Sequence, residues 1–270
     1  MTSGATGLAE RLARVRSRIA AAEAAAGREP GSVRLLLATK TLDAATVRDA
    51  LLADMAATAS TAGAARRVLV GENRVQELVA KAPDLVDLTP ELHVIGPLQS
   101  NKVNAALRWA TCVQTVDSPA LADRLARRCA QDERVLDVLV QVNVSAEPTK
   151  HGVAPQDALD LVRVVARHPH LHLRGFMTVG ARSTDEREIR AGYAALRDLR
   201  DKVAHSGEDG TADALELSMG MSGDLEAAVA EGATIVRVGT AVFGARPPLT
   251  AAAGTAARTG STAGTGPDRP

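Results

Sequence analysis

The sequence predicts an α/β chain built as one (β/α)8 barrel, the TIM-barrel architecture, with an additional helix ahead of the first strand. Three observations carry this. Eight short apolar runs recur, at residues 33–38, 68–70, 93–95, 112–116, 135–142, 171–176, 214–217 and 234–238. Their lengths and β-branched content suit parallel strands buried on both faces. Helical patterns separate them, and such alternation over about 240 residues marks a closed barrel. An open doubly wound sheet is the alternative.

The additional helix comes first: Leu8, Leu12, Val15 and Ile19 fall on one face, and Gly27 and then Pro30 stop it. Residues 53–67, A-D-M-A-A-T-A-S-T-A-G-A-A-R-R, read as a helix end running into a flexible loop, with no function assigned. Ser118 and Pro119 supply the cap and first residue of a helix with Leu121 and Leu125 on one face. Pro155 opens a helix carrying Leu159, Val162 and Val165, and Thr184 is placed to cap one through Ile189, Leu196, Leu199 and Val203. Ser222 stands as cap before Leu225, Ala228 and Val229, and Gly232 stops that helix. The barrel domain is expected over 8–248. Residues 249–270, Ala, Gly, Thr and Pro with few apolar anchors, are expected to be a disordered tail.

Composition narrows the function classes. Hydrophobic residues make up 46% and aromatics 1%, so the core must be built from many small aliphatic contacts. Acidic and basic residues balance at 32 each, which argues against a nucleic-acid surface or an anionic-membrane surface. No apolar run approaches the roughly 20 residues that span a bilayer. The start of the chain has no signal-peptide pattern, so a cytoplasmic location is expected. Cys112 and Cys129 lack C-x-x-C spacing and read as buried thiols. His168, His170 and His172 could line one strand face, but Pro169 breaks the start of that strand and no carboxylate accompanies them, so no metal site is expected.

In such a barrel, chemistry belongs to the C-terminal ends of the strands. The first strand, L-L-L-A-T-K, ends on Lys40, the second in G-E-N at 71–73, and the third leads into G-P-L-Q-S-N-K at 96–102. The fifth ends at Asn143, the sixth at Met177, the seventh in S-M-G-M-S-G at 218–223, and the eighth runs into R-V-G-T at 237–240. A lysine after a buried strand is either a snorkelling surface residue or a reactive amine in a pocket. Burial there would favour the free amine that an aldehyde needs.

The loops after strands seven and eight are where barrels often hold phosphate. Ser222 at a helix N-terminus, the bare backbone of Gly239 and the hydroxyl of Thr240 fit that use. A plain cap and a plain turn are the ordinary alternative for each loop alone. Asp224 and Glu226 would compete with a phosphate if they pointed inward. Arg237 completes the set. One lysine, one phosphate cradle and one inward arginine fit pyridoxal 5′-phosphate (PLP), with Lys40 as its Schiff base and Arg237 at the pyridine nitrogen. A permanently charged arginine there disfavours protonation of that nitrogen and makes the ring a poorer electron sink.

The motifs L-L-A-T-K, V-G-E-N-R-V-Q-E, H-V-I-G-P-L-Q-S-N-K, Q-V-N-V-S, L-R-G-F-M, L-S-M-G-M-S-G-D-L-E-A-A-V and V-R-V-G-T-A-V-F-G occur in that order. Together they resemble the pyridoxal phosphate homeostasis proteins, single-domain relatives of the N-terminal barrel of bacterial alanine racemases. The resemblance implies Lys40 as the cofactor lysine, Asn73 beside the ring, and Ser222, Gly239 and Thr240 on the phosphate. It further implies Arg237 at the pyridine nitrogen and counts Met219 among the cofactor-binding residues. Two features depart from the family pattern. Residues 53–67 look like an insertion, and the positions flanking G-E-N, often aromatic, are Val70 and Arg74.

A true alanine racemase carries a second, β-rich domain and a tyrosine base reaching in from a partner subunit. The only tyrosine here, Tyr193, lies mid-helix on an apolar stripe, and little chain follows residue 246. Two-base proton transfer therefore lacks its second base. The resemblance implies a PLP carrier and regulator of vitamin B6 pools with no catalytic residue, rather than an enzyme. A weak PLP-dependent amino-acid racemase is one rival. A barrel binding another phosphorylated metabolite, with Lys40 as counter-charge, is the other. The expected partners are PLP and PLP-dependent apo-enzymes, with no nucleic acid and no membrane, and a monomer is expected. Lys102 and Arg108 are placed on the barrel rim, and P-T-K-H-G-V at 148–153 is expected to be a mobile loop that gates the pocket through Lys150 and His151.

Overall fold

Eight parallel strands close on themselves in chain order in a computed structural model that describes residues 3–59, 67–147 and 149–244. They are β1 (Arg34–Ala38), β2 (Leu69–Glu72), β3 (Leu92–Val94), β4 (Cys112–Val116), β5 (Leu136–Gln141), β6 (Leu171–Met177), β7 (Glu216–Ser218) and β8 (Ile235–Val238). All eight overlap the apolar runs of the sequence, and the 112–116 run is reproduced residue for residue. The open-sheet alternative is removed by the pairing of β8 back onto β1.

The helices around the barrel are α1 (Ser3–Ala25), α2 (Ala44–Ala59), α3 (Val75–Lys81), α4 (Val103–Ala106), α5 (Pro119–Gln131), α6 (Ala158–Ala166), α7 (Glu186–Ala204), α8 (Leu225–Ala230) and α9 (Thr240–Phe243). Short 3-10 turns occupy Ala82–Leu88, Ser100–Lys102 and Pro155–Asp157. The additional helix α1 buries Leu8, Leu12, Val15 and Ile19 and packs on α2, α8 and α9. Strand residues facing outward join the helices in one large aliphatic core. Inside the barrel, Leu36, Leu69 and Ile235 form one small cluster and Cys112, Leu139 and Met177 another, so the barrel is filled rather than hollow. Both cysteines are buried free thiols.

Register decides what meets at the mouth. Leu37 pairs with Val238 and Ala38 with Gly71, so β1 stands between β8 and β2 with its end level with theirs. Lys40, just past β1, is thereby set between the turn at Gly239 and the G-E-N end of β2.

Three helix starts differ from expectation. Asp185, not Thr184, caps α7, its side chain accepting from the Arg187 N–H. The residue before α8 is Asp224, two positions after Ser222. Pro155 begins a 3-10 turn that leads into α6 rather than the α-helix itself. Of the 53–67 segment, the first part completes α2, while 60–66 lie outside the described residues, as does the 249–270 tail. No helix among the described residues is long and apolar enough to cross a membrane.

Candidate functional site

A cavity of about 750 Å³ opens where the C-terminal strand ends converge. Lys40, Asn73, Ser222, Arg237, Gly239 and Thr240 all line it. Met219 does not. It is fully buried, and its N–H is bonded to the Ile235 carbonyl as a continuation of the sheet, while Met221 reaches the wall instead. The wall carries Lys40, Lys150, Arg182, Arg237 and His151, and among the described residues no aspartate or glutamate. A low-dielectric cleft lined by one sign of charge concentrates anions.

Lys40 is half-buried, and its amine makes no hydrogen bond or ion pair among the described residues. The residues on either side of it are held firmly. Thr39 donates its hydroxyl to Glu72 Oε1 (2.5 Å), Lys81 Nζ donates to the Thr39 carbonyl (2.7 Å), and the Thr41 N–H donates to Glu77 Oε2 (2.6 Å). Lys81 Nζ also bonds Glu72 Oε1 at 2.8 Å and lies 3.4 Å from Glu77 Oε2. Burial pushes the Glu72 carboxyl above its ordinary range, against the opposing pull of Lys81 and Thr39. Glu72 was read only as part of G-E-N, and Lys81 was not singled out. Asn73 packs its backbone against Gly96, where a Cβ would fall 2.2 Å from the Asn73 carbonyl oxygen, so the third-strand loop can pass there only as glycine.

On the other flank of Lys40, the loops after β7 and β8 face the cavity. Gly220 turns the first loop at φ +89, and its carbonyl accepts from the Arg237 N–H. Ser222 and Gly223 follow on the wall. The two carboxylates that would oppose an anion are directed elsewhere. Asp224 Oδ2 accepts from the Tyr193 hydroxyl (2.7 Å) and Oδ1 from the Met221 N–H (2.6 Å), while Glu226 pairs with Arg18 of α1. The turn α9 has no side-chain cap, so its first N–H groups lack an acceptor within the helix. A Cβ on Gly239 would lie 3.1 Å from the Ala38 carbonyl oxygen, so the bare backbone leaves room at the point where the two strands meet.

Arg237 is nearly buried and directed across the barrel interior. Its Nη1 donates to Ser218 Oγ (2.9 Å) and its Nη2 to the Thr178 carbonyl (2.7 Å). Ser218 donates on to Gln114 Oε1 (2.6 Å), and Gln114 Nε2 bonds His93 Nδ1 (2.8 Å). For Gln114 to donate, His93 must be neutral at Nδ1, and burial pushes its pKa down to about 4. Burial also lowers the Arg237 pKa. Neither His93 nor Gln114 was singled out in the sequence, because each reads as an ordinary strand residue.

The described residues of the loop after β5, which was expected to be mobile, carry several hydrogen bonds. Lys150 Nζ donates to Glu147 Oε1 (2.6 Å) and across the mouth to the Gly180 carbonyl (2.7 Å). Asn143 Nδ2 donates to the Glu147 carbonyl (2.9 Å), Gln141 Nε2 to the His151 carbonyl (3.0 Å), and Val153 bridges to Val142.

The family model for the N-terminal domain of alanine racemase matches residues 12–247. A pyridoxal phosphate homeostasis protein from Pseudomonas aeruginosa is 41% identical over 239 residues, covering 88% of this chain and 96% of its own length. One from Aquifex aeolicus is 37% identical over 237 residues, covering 88% and 97%. The chain belongs to this family. Among solved structures, PipY of Synechococcus elongatus, determined with PLP bound, superposes with a TM-score of 0.72 at 35% identity, covering 88% of this chain and all of its own (100%). A protein from Bifidobacterium adolescentis superposes at 0.81 with 40% identity over 90% of this chain and 97% of its own. Alanine racemase from Clostridium difficile, 13% identical with a TM-score of 0.63, shares the fold; this chain covers 57% of its length.

Proposed function

We propose that this protein binds PLP on Lys40 and serves cofactor homeostasis in the cell, holding the reactive aldehyde out of solution without robust catalysis. The observation that carries this is a lysine amine that, among the described residues, has no partner and shares its cavity wall with no carboxylate, set beside two loops whose acids face away from it. The donor set fits the cofactor. Ser222, Gly239 and Thr240 would hold the phosphate, Asn73 would lie beside the ring, and Arg237 would meet the pyridine nitrogen. When bound, PLP supplies an aldehyde whose carbon condenses with the Lys40 amine, releasing water. The homeostasis proteins of the family and PLP-bound PipY support the reading. Residues 8–248 form the cofactor-binding domain on this reading. PLP-dependent apo-enzymes are its proposed recipients, and the proposed form is a cytoplasmic monomer.

Tyr193 bears on the choice between carrier and racemase. It is fully buried, and its hydroxyl is committed to Asp224, with burial raising its pKa well above the usual phenol value. A buried phenol already committed to a carboxylate is poorly suited to serve as a second base, which supports the carrier reading.

Titration with PLP should produce a yellow absorbance band that borohydride traps on Lys40. Lys40→Ala should lack both the band and the trapped mass. Turnover of L-alanine to D-alanine by the pure protein, lost in Lys40→Ala, would favour a racemase. No band in the unaltered protein would leave a barrel that binds some other phosphorylated metabolite.

A further inference from the structure

Glu72, Glu77 and Lys81 lie outside the cavity wall, yet they converge on the chain at Lys40. Lys81 and Glu72 are 6% and 2% exposed, so a full ion pair has been taken out of water. Such a pair is seldom worth more to stability than apolar residues of similar volume. Its bonds suggest another use. Apart from the salt bridges within the cluster, every hydrogen bond from these three side chains ends on Thr39 or Thr41. Thr39 is gripped at its hydroxyl and its carbonyl, and its N–H is bonded to the Gly71 carbonyl. Thr41 sits in the left-handed region at φ +67, a conformation that a β-branched residue adopts only under strain. The charge-assisted bond from its N–H to Glu77 holds it there.

We propose that Glu72, Lys81 and Glu77 are positioning residues for Lys40, fixing the backbone on both sides of it so that its amine is presented to an aldehyde in the cavity. The inference rests on the PLP reading given above. The lysine side chain has four rotatable bonds, and the direction of its first is set by the backbone that carries it. With Thr39 and Thr41 fixed and no partner on its amine, Lys40 spends more of its time directed into the cavity. The network therefore acts on bond formation at Lys40 and not on the grip of phosphate or ring.

The test separates those two quantities with a pair of ligands. PLP carries the aldehyde, and pyridoxine 5′-phosphate carries an alcohol in its place, so it occupies the same site without joining Lys40. Glu77 is 21% exposed, which makes Glu77→Ala the variant best placed to stay folded. Glu77→Ala should weaken formation of the Lys40 adduct by about tenfold, the equivalent of 1.4 kcal/mol, while the pyridoxine 5′-phosphate dissociation constant stays within about twofold. Glu77→Gln, which keeps an acceptor for the Thr41 N–H, should restore most of the adduct. The double variant Glu72→Gln with Lys81→Met, which leaves no lone buried charge, should behave like Glu77→Ala. Equal weakening of both ligands, or an adduct formed as well as in the unaltered protein, would overturn the proposal while leaving PLP binding intact. An unaltered protein that binds pyridoxine 5′-phosphate but forms no adduct would overturn the role of Lys40 and this proposal with it.

Discussion

At the scale of single residues, the barrel interior holds a titratable group whose state is fixed by burial. His93 is 4% exposed and accepts from Gln114, with its pKa near 4 against about 6.5 in an unfolded chain. A depressed folded-state pKa means the unfolded chain takes up the proton first as pH falls. The contribution is therefore whole above pH 6.5 and is lost as pH falls through 6.5 toward 4. Across that window the loss amounts to about 3 kcal/mol. Urea unfolding at pH 7.5 and pH 4.5 should show that loss, and His93→Gln should flatten the profile. An unchanged profile in the variant would mean that other groups carry the acid dependence. The same chain shows what a linear sequence hides. His93, Gln114, Ser218 and Arg237 come from four strands and meet only because the barrel closes, and only Arg237 carried a signal, as a charge ending an apolar strand.

At the scale of elements, strand positions were legible because a parallel strand buried on both faces must be written in consecutive apolar residues. Helix starts were less so. T-D at 184–185 and S-G-D at 222–224 each offer two capping side chains, and the choice depends on backbone angles and neighbours. In 53–67, a segment to which the sequence assigned no function, Asp54 proves to be buried. It bonds Arg16 of α1 and accepts from the Val68 N–H at the approach to β2. The histidines 168 and 172, without acids beside them in the sequence, find Asp123, and Asp137 with Asp213, on other elements. The additional helix does more than cover the barrel. Arg18 of α1 bonds the Ser222 carbonyl, and Arg11 bonds the Val242 carbonyl of α9, so α1 braces both loops that face the proposed phosphate. Leu12→Ala, at a position 2% exposed, should cost about 2–4 kcal/mol in urea unfolding and loosen retention of inorganic phosphate. A loss under 1 kcal/mol would mean that α1 is not integral to the fold.

At the scale of the whole molecule, charge is distributed against its own average. The formal net charge is zero, which as a bulk number argues against any strong pull on an anion. Yet the cavity wall holds Lys40, Lys150, Arg182 and Arg237 and, among the described residues, no carboxylate: of the nearby acids, Glu72, Asp224 and Glu226 are engaged behind it by Lys81, Tyr193 and Arg18, and Glu147 is paired with Lys150. A doubly anionic ligand approaching the mouth therefore meets cationic side chains with no carboxylate on the described wall to oppose it. Arg182 is exposed at the mouth, with no hydrogen bond from its guanidinium among the described residues. Its effect should be on approach rather than on retention, since an exposed charge is screened once the ligand is seated. Stopped-flow association of PLP should slow as sodium chloride rises from about 20 to about 500 mM, where the Debye length shrinks well below 10 Å. Arg182→Gln should lower the low-salt association rate about two- to threefold, leave dissociation unchanged, and converge with the unaltered protein at high salt. Were the association rate indifferent to salt in both proteins, the cationic wall would serve the seated ligand alone, and entry would be governed by the strap that Lys150 ties to the Gly180 carbonyl.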